Sequence, residues 1–212
     1  MSGEKERELK KLFFNARKTT LELLEDRHYE VPEELKNISY YDFKELFDKN
    51  QLDFLVEHKE DKNKQIYIYH HIDTKNFSKK DLVNLGKMIK DDYPTKITNV
   101  ILIVDDNPTS QITKELTTQE YKNFEIFLLK ELLINISKHM YQPKFEILNK
   151  EETENVFKEN GFNASNCPIL LSTDPIAKYY GMKSGQLIRI IRRSATTGES
   201  VYYRIVVGFS KK

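Results

Sequence analysis

The sequence has a single cysteine, no tryptophan, and only seven glycines and six prolines among its 212 residues. The lone Cys167 excludes an intrachain disulfide and a thiolate metal cluster, and it suits a reducing compartment. Seven glycines leave none of the glycine-rich fingerprints that hold nucleotide phosphates, so we expect no bound cofactor. No apolar run approaches a membrane span, and the charged start MSGEKERELKK is unlike a secretory signal. We therefore expect an intracellular protein without membrane contact.

The histidines do not replace the missing cysteines as metal ligands. His70 and His71 are neighbours in an apolar run, so they would point to opposite faces of a strand. The other three show no ligand spacing, and they are His28, His58 and His139. A zinc site needs ligands at defined intervals, so the sequence predicts no metal site.

An excess of charge of either sign is also missing. Lysine and arginine number 34 and aspartate and glutamate 33, which leaves a formal net charge of +1. No global field then draws the chain onto nucleic acid or a membrane surface, and any contact with nucleic acid must be local. The length permits one large domain or two smaller ones, each with a buried core.

Apolar periodicity predicts three helices in the first half of the chain. Residues from Glu4 to His28 carry one buried stripe at helical spacing. A shorter helix follows Ser39, which is a suitable cap. A third helix opens at Ser78, has Asp81 in the capping-box position, and ends near Pro94.

Strand patterns lie between and after these helices. The segments LDFLVEHK and QIYIYHHI flank the polar EDKNK, which is the pattern of a β-hairpin. The segment ITNVILIV, residues 97–104, is apolar and rich in β-branched residues, so it predicts a central strand covered on both faces. Together these elements predict an α/β layer.

The middle of the chain is less regular. After a turn at residues 105–108, Ser110 is predicted to cap a short helix that runs through Leu116. The period of YKNFEIFLLKELLINISKH is ambiguous, and we assign strand to both of its ends. The apolar pattern breaks around residues 140–143, so we place a boundary near residue 142 and predict domains 1–142 and 143–212.

Two short helices open the second domain. Asn149 caps the first, and Gly161 is placed to end it in the left-handed conformation. Asp174 caps the second, with Pro175 at the first helical position, where its missing N–H costs nothing. Gly181 closes that helix.

A hairpin ends the chain, with strands QLIRIIRR and VYYRIVV joined by SATTGES, where Gly198 can take a positive φ. Both faces of both strands mix apolar side chains with arginine or tyrosine. A module of about seventy residues has little core of its own, so the second face suggests a docking surface. Alternatively, the arginine stems lie over the module's own core with their heads in water. The pattern alone leaves both interpretations open.

The segment STDPIAKYYGMKSGQLIRIIRRSATTGESVYYRIV resembles the C-terminal signature of the fifth subunit shared by eukaryotic nuclear RNA polymerases, which has a shorter archaeal counterpart. The positions in register are Asp174, Pro175, Ala177, Tyr179, Gly181, Gly185, the strand IRIIR, Ser194, Gly198, Tyr203 and Arg204. The segment LFFNARKTTLELLEDRHYEV resembles the opening helix of the eukaryotic subunit, and the similarity thins between residues 50 and 135. The archaeal counterpart lacks the N-terminal domain, so the chain resembles the eukaryotic or viral type.

The resemblance implies a fold and a role. The fold is an α/β N-terminal jaw domain, similar to restriction endonucleases, and a small α+β C-terminal assembly domain with a mixed sheet. The assembly domain would dock on the largest polymerase subunit, near the sixth subunit, and the jaw would lie beside downstream DNA. The chain would be a non-catalytic part of the enzyme, because the Mg²⁺-binding carboxylates of polymerase chemistry belong to the largest subunit. We expect no homo-oligomer.

The docking residues that follow from the resemblance lie in the Asp-Pro helix and the hairpin. They are Asp174, Pro175, Tyr179, Gly181, Gly185, Arg189, Arg192, Arg193, Tyr203 and Arg204. In the linker, the chain departs from the family pattern, because Phe145 replaces a histidine. A cellular protein of this family would act in the nucleus. The Asn- and Lys-rich composition also fits a large cytoplasmic DNA virus, whose protein would act in the host cytoplasm and be carried in the virion.

Two other functions compete with this one. Glu57 and Lys59 match the Glu-x-Lys step of Mg²⁺-dependent nucleases, in which the acid binds the metal and the lysine polarises water or phosphate. Such a site needs a second carboxylate, for which Asp48 and Asp53 are the nearest candidates. The motif arises often in a chain that is 32% charged, so we expect no DNA cleavage. A free-standing nucleic-acid-binding protein would instead need a basic stripe with stacking aromatics, which the near-neutral charge disfavours.

Overall fold

The structure, a computed structural model, describes residues 3–72, 76–93, 97–194 and 198–208. The chain divides into two compact units, Met1–Ile134 and Asn135–Lys212. Each unit has helices and its own mixed sheet. The two-domain α/β architecture with mixed sheets, predicted from the sequence, is confirmed.

The N-terminal unit is built on a five-stranded sheet of order β1-β2-β3-β4-β5. Its strands are β1 (Tyr29–Glu30), β2 (Phe54–His58), β3 (Gln65–His70), β4 (Ile97–Val104) and β5 (Phe124–Leu128). Its helices are α1 (Gly3–Asp26), α2 (Glu33–Lys36), α3 (Tyr40–Asp48), α4 (Lys79–Asp92) and α5 (Ser110–Glu115). The first three strands are antiparallel, while β3, β4 and β5 are parallel. The predicted hairpin is therefore β2–β3, and ITNVILIV is the strand next to it, with residues 100–104 buried.

Capping residues start these helices where the sequence indicates. The Ser39 hydroxyl accepts the Asp42 N–H at 3.1 Å. Ser78 and Asp81 form a reciprocal capping box, in which the Asp81 carboxylate accepts the Ser78 N–H at 2.9 Å. Such caps satisfy amide groups that a helix otherwise leaves unbonded at its first turn. Pro94, near which the third helix was predicted to end, lies outside the described residues.

Two predictions for the middle of the chain are wrong. Thr109, not Ser110, caps α5, because the Thr109 hydroxyl accepts the Ile112 N–H at 3.5 Å. The ambiguous segment is a strand only at its start, in β5, and it continues as 3₁₀ turns at Leu129–Leu132 and Ile136–Lys138. Local bonds favour the turns over a sheet ladder, since the Glu131 carboxylate accepts the Leu128 N–H at 3.0 Å.

The C-terminal unit is built on a four-stranded sheet of order β6-β8-β9-β7. Its elements are β6 (Lys144–Ile147), α6 (Lys150–Asn160), β7 (Ile169–Leu171), α7 (Pro175–Tyr179), β8 (Leu187–Ser194) and β9 (Gly198–Val207). Strands β6, β8 and β9 are antiparallel, and β7 is parallel to β9. The predicted caps Asn149 and Asp174 are confirmed, as is the left-handed Gly161 at φ 66°. Gly181, predicted to close α7, follows its last turn at φ 62°. Turn residues 195–197 lie outside the described residues.

Apolar clusters lie on both faces of this small sheet. On one face, Ile188 and Val206 pack against Ile176 and Ala177 of α7. On the other face, Leu187 packs with Val156 of α6. We call these the α7 face and the α6 face. Both strands of the hairpin therefore contribute side chains to two apolar clusters, one on each face of the sheet.

The segment before β6 packs with the C-terminal unit. The Asn135 side-chain amide donates to the Tyr179 hydroxyl at 3.1 Å, and Ile136 packs against the α7 cluster. Residues 135–142, which the sequence pattern assigned to the N-terminal domain, are thus part of the second compact unit. These contacts lie between residues far apart in sequence, so local patterns do not report them.

We expect a fragment of residues 135–212 to be more stable than one of residues 143–212. The longer fragment keeps the hydrogen bond to Tyr179 and the packed Ile136, together about 1–3 kcal/mol. Urea unfolding followed by circular dichroism measures the difference. Ile136→Ala should lose most of it, whereas Met140→Ala, whose side chain is 83% exposed, should not. Equal unfolding midpoints for the two fragments would contradict the expectation.

Candidate docking surface

The register of the β8–β9 hairpin decides which arginines lie together. Ile188 pairs with Arg204, Ile190 with Tyr202, and Arg192 with Ser200. Paired residues on antiparallel strands point to the same face, and successive residues alternate. Arg192, Tyr202 and Arg204 therefore share the α7 face with the buried Ile188 and Ile190.

On the α7 face, the side chains change from buried to exposed along the hairpin. Ile188 and Ile190 are buried, whereas Arg192 and Arg204 are exposed and Tyr202 is 51% exposed. The Arg192 guanidinium carbon lies 5.4 Å from the centre of the Tyr202 ring, a cation–π distance. Neither Arg192 nor Arg204 forms an ion pair with a described residue. We call Arg192, Tyr202 and Arg204 the arginine–tyrosine surface.

On the α6 face, the polar side chains bond to one another. The Arg189 guanidinium lies 3.3 Å from the Glu146 carboxylate. A hydrogen bond with Tyr203, and then the Glu146 contact, raise the pKa of Arg189 above its ordinary value. The Tyr203 ring lies 5.9 Å from that of Phe162. Arg189 and Tyr203 thus serve the fold of the unit, while Arg193 on this face is exposed.

The docking residues predicted in and after α7 also support the local fold. The Asp174 carboxylate accepts the Ile176 N–H at 2.9 Å, and Pro175 occupies the first turn. Tyr179 is 3% exposed. Gly181 and Gly185 have φ of 62° and 90°, a region that favours glycine. Of the predicted set, the structure leaves Arg192, Arg193 and Arg204 as exposed groups without ion pairs among the described residues.

Replacing Asp174 by alanine should destabilise the C-terminal unit by about 1 kcal/mol, because an N-cap bond is lost. Hydrogen exchange of the β8 amides in the full chain measures this. Thr173→Ala, one residue earlier and exposed, is the matched control and should change little. Unchanged exchange in Asp174→Ala would show that the cap is not stabilising.

Sequence reasoning did not select Tyr202. The sequence does contain a signal for this residue, because the two-residue alternation along VYYRIVV places Tyr202 on the same face as Arg204. What the sequence does not show is that Ile188 and Val206 are buried in the α7 cluster while Tyr202, on the same face, is 51% exposed.

The Glu-x-Lys motif does not gather the carboxylates that a nuclease site needs. The Glu57 carboxylate accepts the Gln65 side-chain amide at 2.7 Å, at one end of β2. Asp53 precedes the other end of β2, where it accepts the His70 N–H at 2.7 Å. Asp48 pairs with a lysine of α1. Among the described residues, no group of three or more His, Cys, Asp or Glu side chains has an arrangement suited to a metal ion.

Lysines that could contact phosphates lie within residues 59–64 and at Lys79 and Lys80, and they differ in their partners. Lys79 pairs with Glu115 and Lys64 with Asp61. Among these five lysines, Lys59, Lys62 and Lys80 are exposed and form no ion pair with a described residue. Among the helices that the structure describes, none is both long and apolar enough to cross a bilayer.

The small net charge of the chain hides a separation between the units. The C-terminal unit has twelve lysines and arginines against seven aspartates and glutamates, a net charge of +5. The N-terminal unit has 22 against 26, a net charge of −4. The unit that carries the arginine–tyrosine surface is thus the basic one.

Comparison with known proteins relates both units to one enzyme. The family model described as RNA polymerase Rpb5, N-terminal domain, matches residues 6–88, and that described as RNA polymerase Rpb5, C-terminal domain, matches residues 134–206. The chain is 32% identical over 202 residues to DNA-directed RNA polymerases IV and V subunit 5B of Arabidopsis thaliana, covering 92% of this chain and 89% of that protein. It is 29% identical over 201 residues to DNA-directed RNA polymerases I, II, and III subunit RPABC1 of Caenorhabditis briggsae, covering 90% and 93%. DNA-directed RNA polymerase subunit Rpo5 of Archaeoglobus fulgidus is 48% identical over 69 residues, which cover 32% of this chain and 91% of that protein.

Proposed function

Because this chain belongs to the RNA polymerase Rpb5 family of non-catalytic subunits of DNA-directed RNA polymerase, we propose that its C-terminal unit docks on the largest subunit of the enzyme. In this proposal, the N-terminal unit is a jaw domain of restriction-endonuclease-like fold, and it lies beside downstream DNA. The docked unit neighbours the sixth-type small subunit. The chain accompanies its polymerase, in the nucleus for a cellular genome, or in the host cytoplasm and virion for a cytoplasmic DNA virus.

The observation that carries the docking proposal is the arginine–tyrosine surface. It combines a half-exposed tyrosine with two exposed arginines that form no ion pair with a described residue. Arginine and tyrosine are enriched among the residues that contribute most to protein interfaces. The net charge of +5 on this unit favours an acidic partner surface.

The other residues of the predicted set support docking indirectly. Asp174, Gly181 and Gly185 fix α7 and the turn that follows it, and Tyr179 anchors α7 in the core. Because α7 and this turn directly precede β8, these residues position the hairpin and its exposed arginines. We therefore assign them to shaping the surface and assign direct contact to Arg192 and Arg204. Arg193, also predicted to dock, is exposed on the α6 face and lies outside the arginine–tyrosine surface.

Recovery of the polymerase by separate parts of the chain tests the docking proposal. Tagged full-length protein, residues 1–134 and residues 135–212 are expressed in the native source, and co-purifying chains are identified by mass. We expect the full chain and residues 135–212 to recover the large polymerase subunits, and residues 1–134 not to. Circular dichroism must first show that both fragments fold. Recovery by residues 1–134 alone would assign docking to the other unit.

Although we propose that the N-terminal unit lies beside DNA in the polymerase, we expect the isolated chain to bind free duplex DNA only weakly. The unit carries a net charge of −4, so only local lysines such as Lys59, Lys62 and Lys80 can meet phosphates. Each phosphate contact adds about −0.9 to the slope of log affinity against log salt, so a few contacts give weak, salt-sensitive binding. Fluorescence anisotropy with a labelled duplex measures the affinity. Submicromolar affinity that persists as salt is raised would favour a free-standing nucleic-acid-binding protein.

A further inference from the structure

The geometry of the arginine–tyrosine surface restricts what can bind there. Arg204 lies opposite Ile188, and Arg192 is four residues beyond Ile188 on the same strand. At roughly 3.3 Å per residue, the two arginines are about 13 Å apart along the hairpin. Tyr202, opposite Ile190, lies midway between them. The surface thus presents a cation, a ring and a second cation at regular two-residue steps.

The carboxylates of the same unit are engaged elsewhere, lie on other elements or point to the opposite face. Glu199 is on β9 itself, but it pairs in register with Arg193 and therefore lies on the α6 face, while Asp174 caps α7. Glu146 pairs with Lys144 and Arg189. The glutamates of α6 are on a helix that packs over the opposite face of the sheet, and Glu152 among them accepts the Asn149 N–H. Among the described residues, no carboxylate therefore neutralises Arg192 or Arg204. A partner that supplies two carboxylates would complete the surface.

An extended polypeptide has the matching period. Side chains on one face of an extended chain repeat every two residues, so positions i and i+4 are separated by about 13 Å and position i+2 lies between them. Carboxylates at i and i+4 would meet the arginines, and an apolar side chain at i+2 would cover the exposed Tyr202 ring. Arginine–carboxylate contacts are strong because the guanidinium can donate two parallel bonds.

We propose that this surface binds an extended acidic segment of a partner protein, with the pattern acidic-x-apolar-x-acidic. The inference rests on the proposed function, since it names the chemistry of the segment on which the C-terminal unit docks. A polypeptide fits better than a nucleic acid. Nucleic-acid affinity depends on many phosphate contacts, and the surface offers two cations. The Arg192 guanidinium already lies over one side of the Tyr202 ring, so the remaining side suits a single apolar side chain.

The test uses the full chain and a defined probe. An acetylated peptide Gly-Asp-Thr-Leu-Thr-Asp-Gly is titrated into isotope-labelled protein, and amide shifts are followed by two-dimensional NMR. We expect saturable shifts in β8 and β9. A peptide with lysine in place of both aspartates should give none, and one shortened to Asp-Leu-Asp should bind at least fivefold more weakly. Arg192→Gln and Arg204→Gln should each weaken binding about tenfold or more, while Lys158→Gln on α6 should leave it unchanged.

Tyr202 provides a variant that keeps the charges. Tyr202→Ala should weaken binding of the peptide, and Tyr202→Phe should retain it, because the ring face is the contact. Loss of binding in both would assign the effect to the hydroxyl and overturn the apolar part of the proposal. The same spectra report whether each variant is folded.

Two results would overturn the proposal, and they differ in what they imply for docking. If the peptide causes no shifts at millimolar concentration, yet Arg192→Gln and Arg204→Gln lose the polymerase in pull-downs, docking stands and the acidic segment is wrong. If a short single-stranded oligonucleotide shifts the same amides more tightly than the peptide, the surface is a nucleic-acid site. Peptide binding together with unimpaired recovery of the polymerase by both variants would support the acidic-segment site and refute hairpin docking.

Discussion

Exchanging both Arg192 and Arg204 for glutamate should abolish recovery of the largest polymerase subunit by the full chain. Reversing the charge of an arginine buried at an interface leaves desolvated groups unpaired on both sides, which costs about 2–5 kcal/mol for each residue. Even one exchange should therefore weaken association by about thirtyfold or more. The expectation follows from the absence of intrachain ion pairs at both arginines among the described residues. Quantitative pull-down, or titration against purified polymerase lacking this chain, measures the loss.

The matched controls are charge reversals on the opposite face. Lys150→Glu and Lys158→Glu lie on α6, are exposed, and form no ion pair with a described residue. They change the net charge by the same amount per residue, so they separate a local effect from a global one. Circular dichroism and unfolding midpoints must show that every variant is folded. If folded Arg192→Glu and Arg204→Glu proteins recover the large subunit as well as the parent does, the hairpin is not the docking surface.

Local rules account for the parts of the fold that the sequence predicts well. Ser39, Ser78, Asn149 and Asp174 start helices because their side chains reach amides within three residues. Gly161 and several other glycines adopt positive φ where the chain must turn. Strand alternation likewise assigns the hairpin arginines to their faces. Each of these depends on neighbours in sequence.

The remaining features depend on contacts between distant residues. Ile136 packs with the C-terminal unit through the α7 cluster, so the break in pattern near residue 142 does not mark the edge of the compact unit. The cap of α5 is Thr109, one residue before the predicted Ser110, and the sequence alone does not decide between two neighbouring hydroxyl side chains. For the candidate surface, the sequence pattern identifies the arginines, but only the structure shows that Arg192 and Arg204 are exposed on the same face as the half-exposed Tyr202.

The second large effect concerns His70 and the pH dependence of the N-terminal unit. His70 is 5% exposed, and the centre of its ring lies 6.2 Å from that of Phe13 and 6.0 Å from that of Phe54. Burial lowers the pKa of His70 below its ordinary value, with a smaller effect in the same direction from the Arg17 guanidinium, while the Asp53 carboxylate opposes the shift. The charged groups across the adjoining cleft are Asp48 and Asp81, with His71 beside them. The native state therefore disfavours the charged form of His70.

The sign of the effect follows from proton linkage. An unfolded histidine has a pKa of about 6.5, so below that pH the unfolded chain binds a proton that the native chain excludes. The free energy of unfolding should consequently fall as the pH falls through 6.5, by up to about 1.4 kcal/mol per pH unit, until the native pKa is reached. Between pH 7 and pH 5 the loss attributable to this side chain is at most about 2 kcal/mol.

Urea unfolding at pH 7, 6 and 5, followed through NMR signals of β3, measures this loss for the N-terminal unit. His70→Gln removes the titration and retains a donor for Asp53, so the variant should lose less stability on acidification than the parent, although it is less stable at pH 7. His139→Gln, an exposed histidine of the other unit, should match the parent at every pH. The comparison uses the difference between parent and variant because carboxylates elsewhere titrate equally in both. Parallel stability profiles for the parent and His70→Gln would mean that His70 is protonated as readily in the native state as in the unfolded chain.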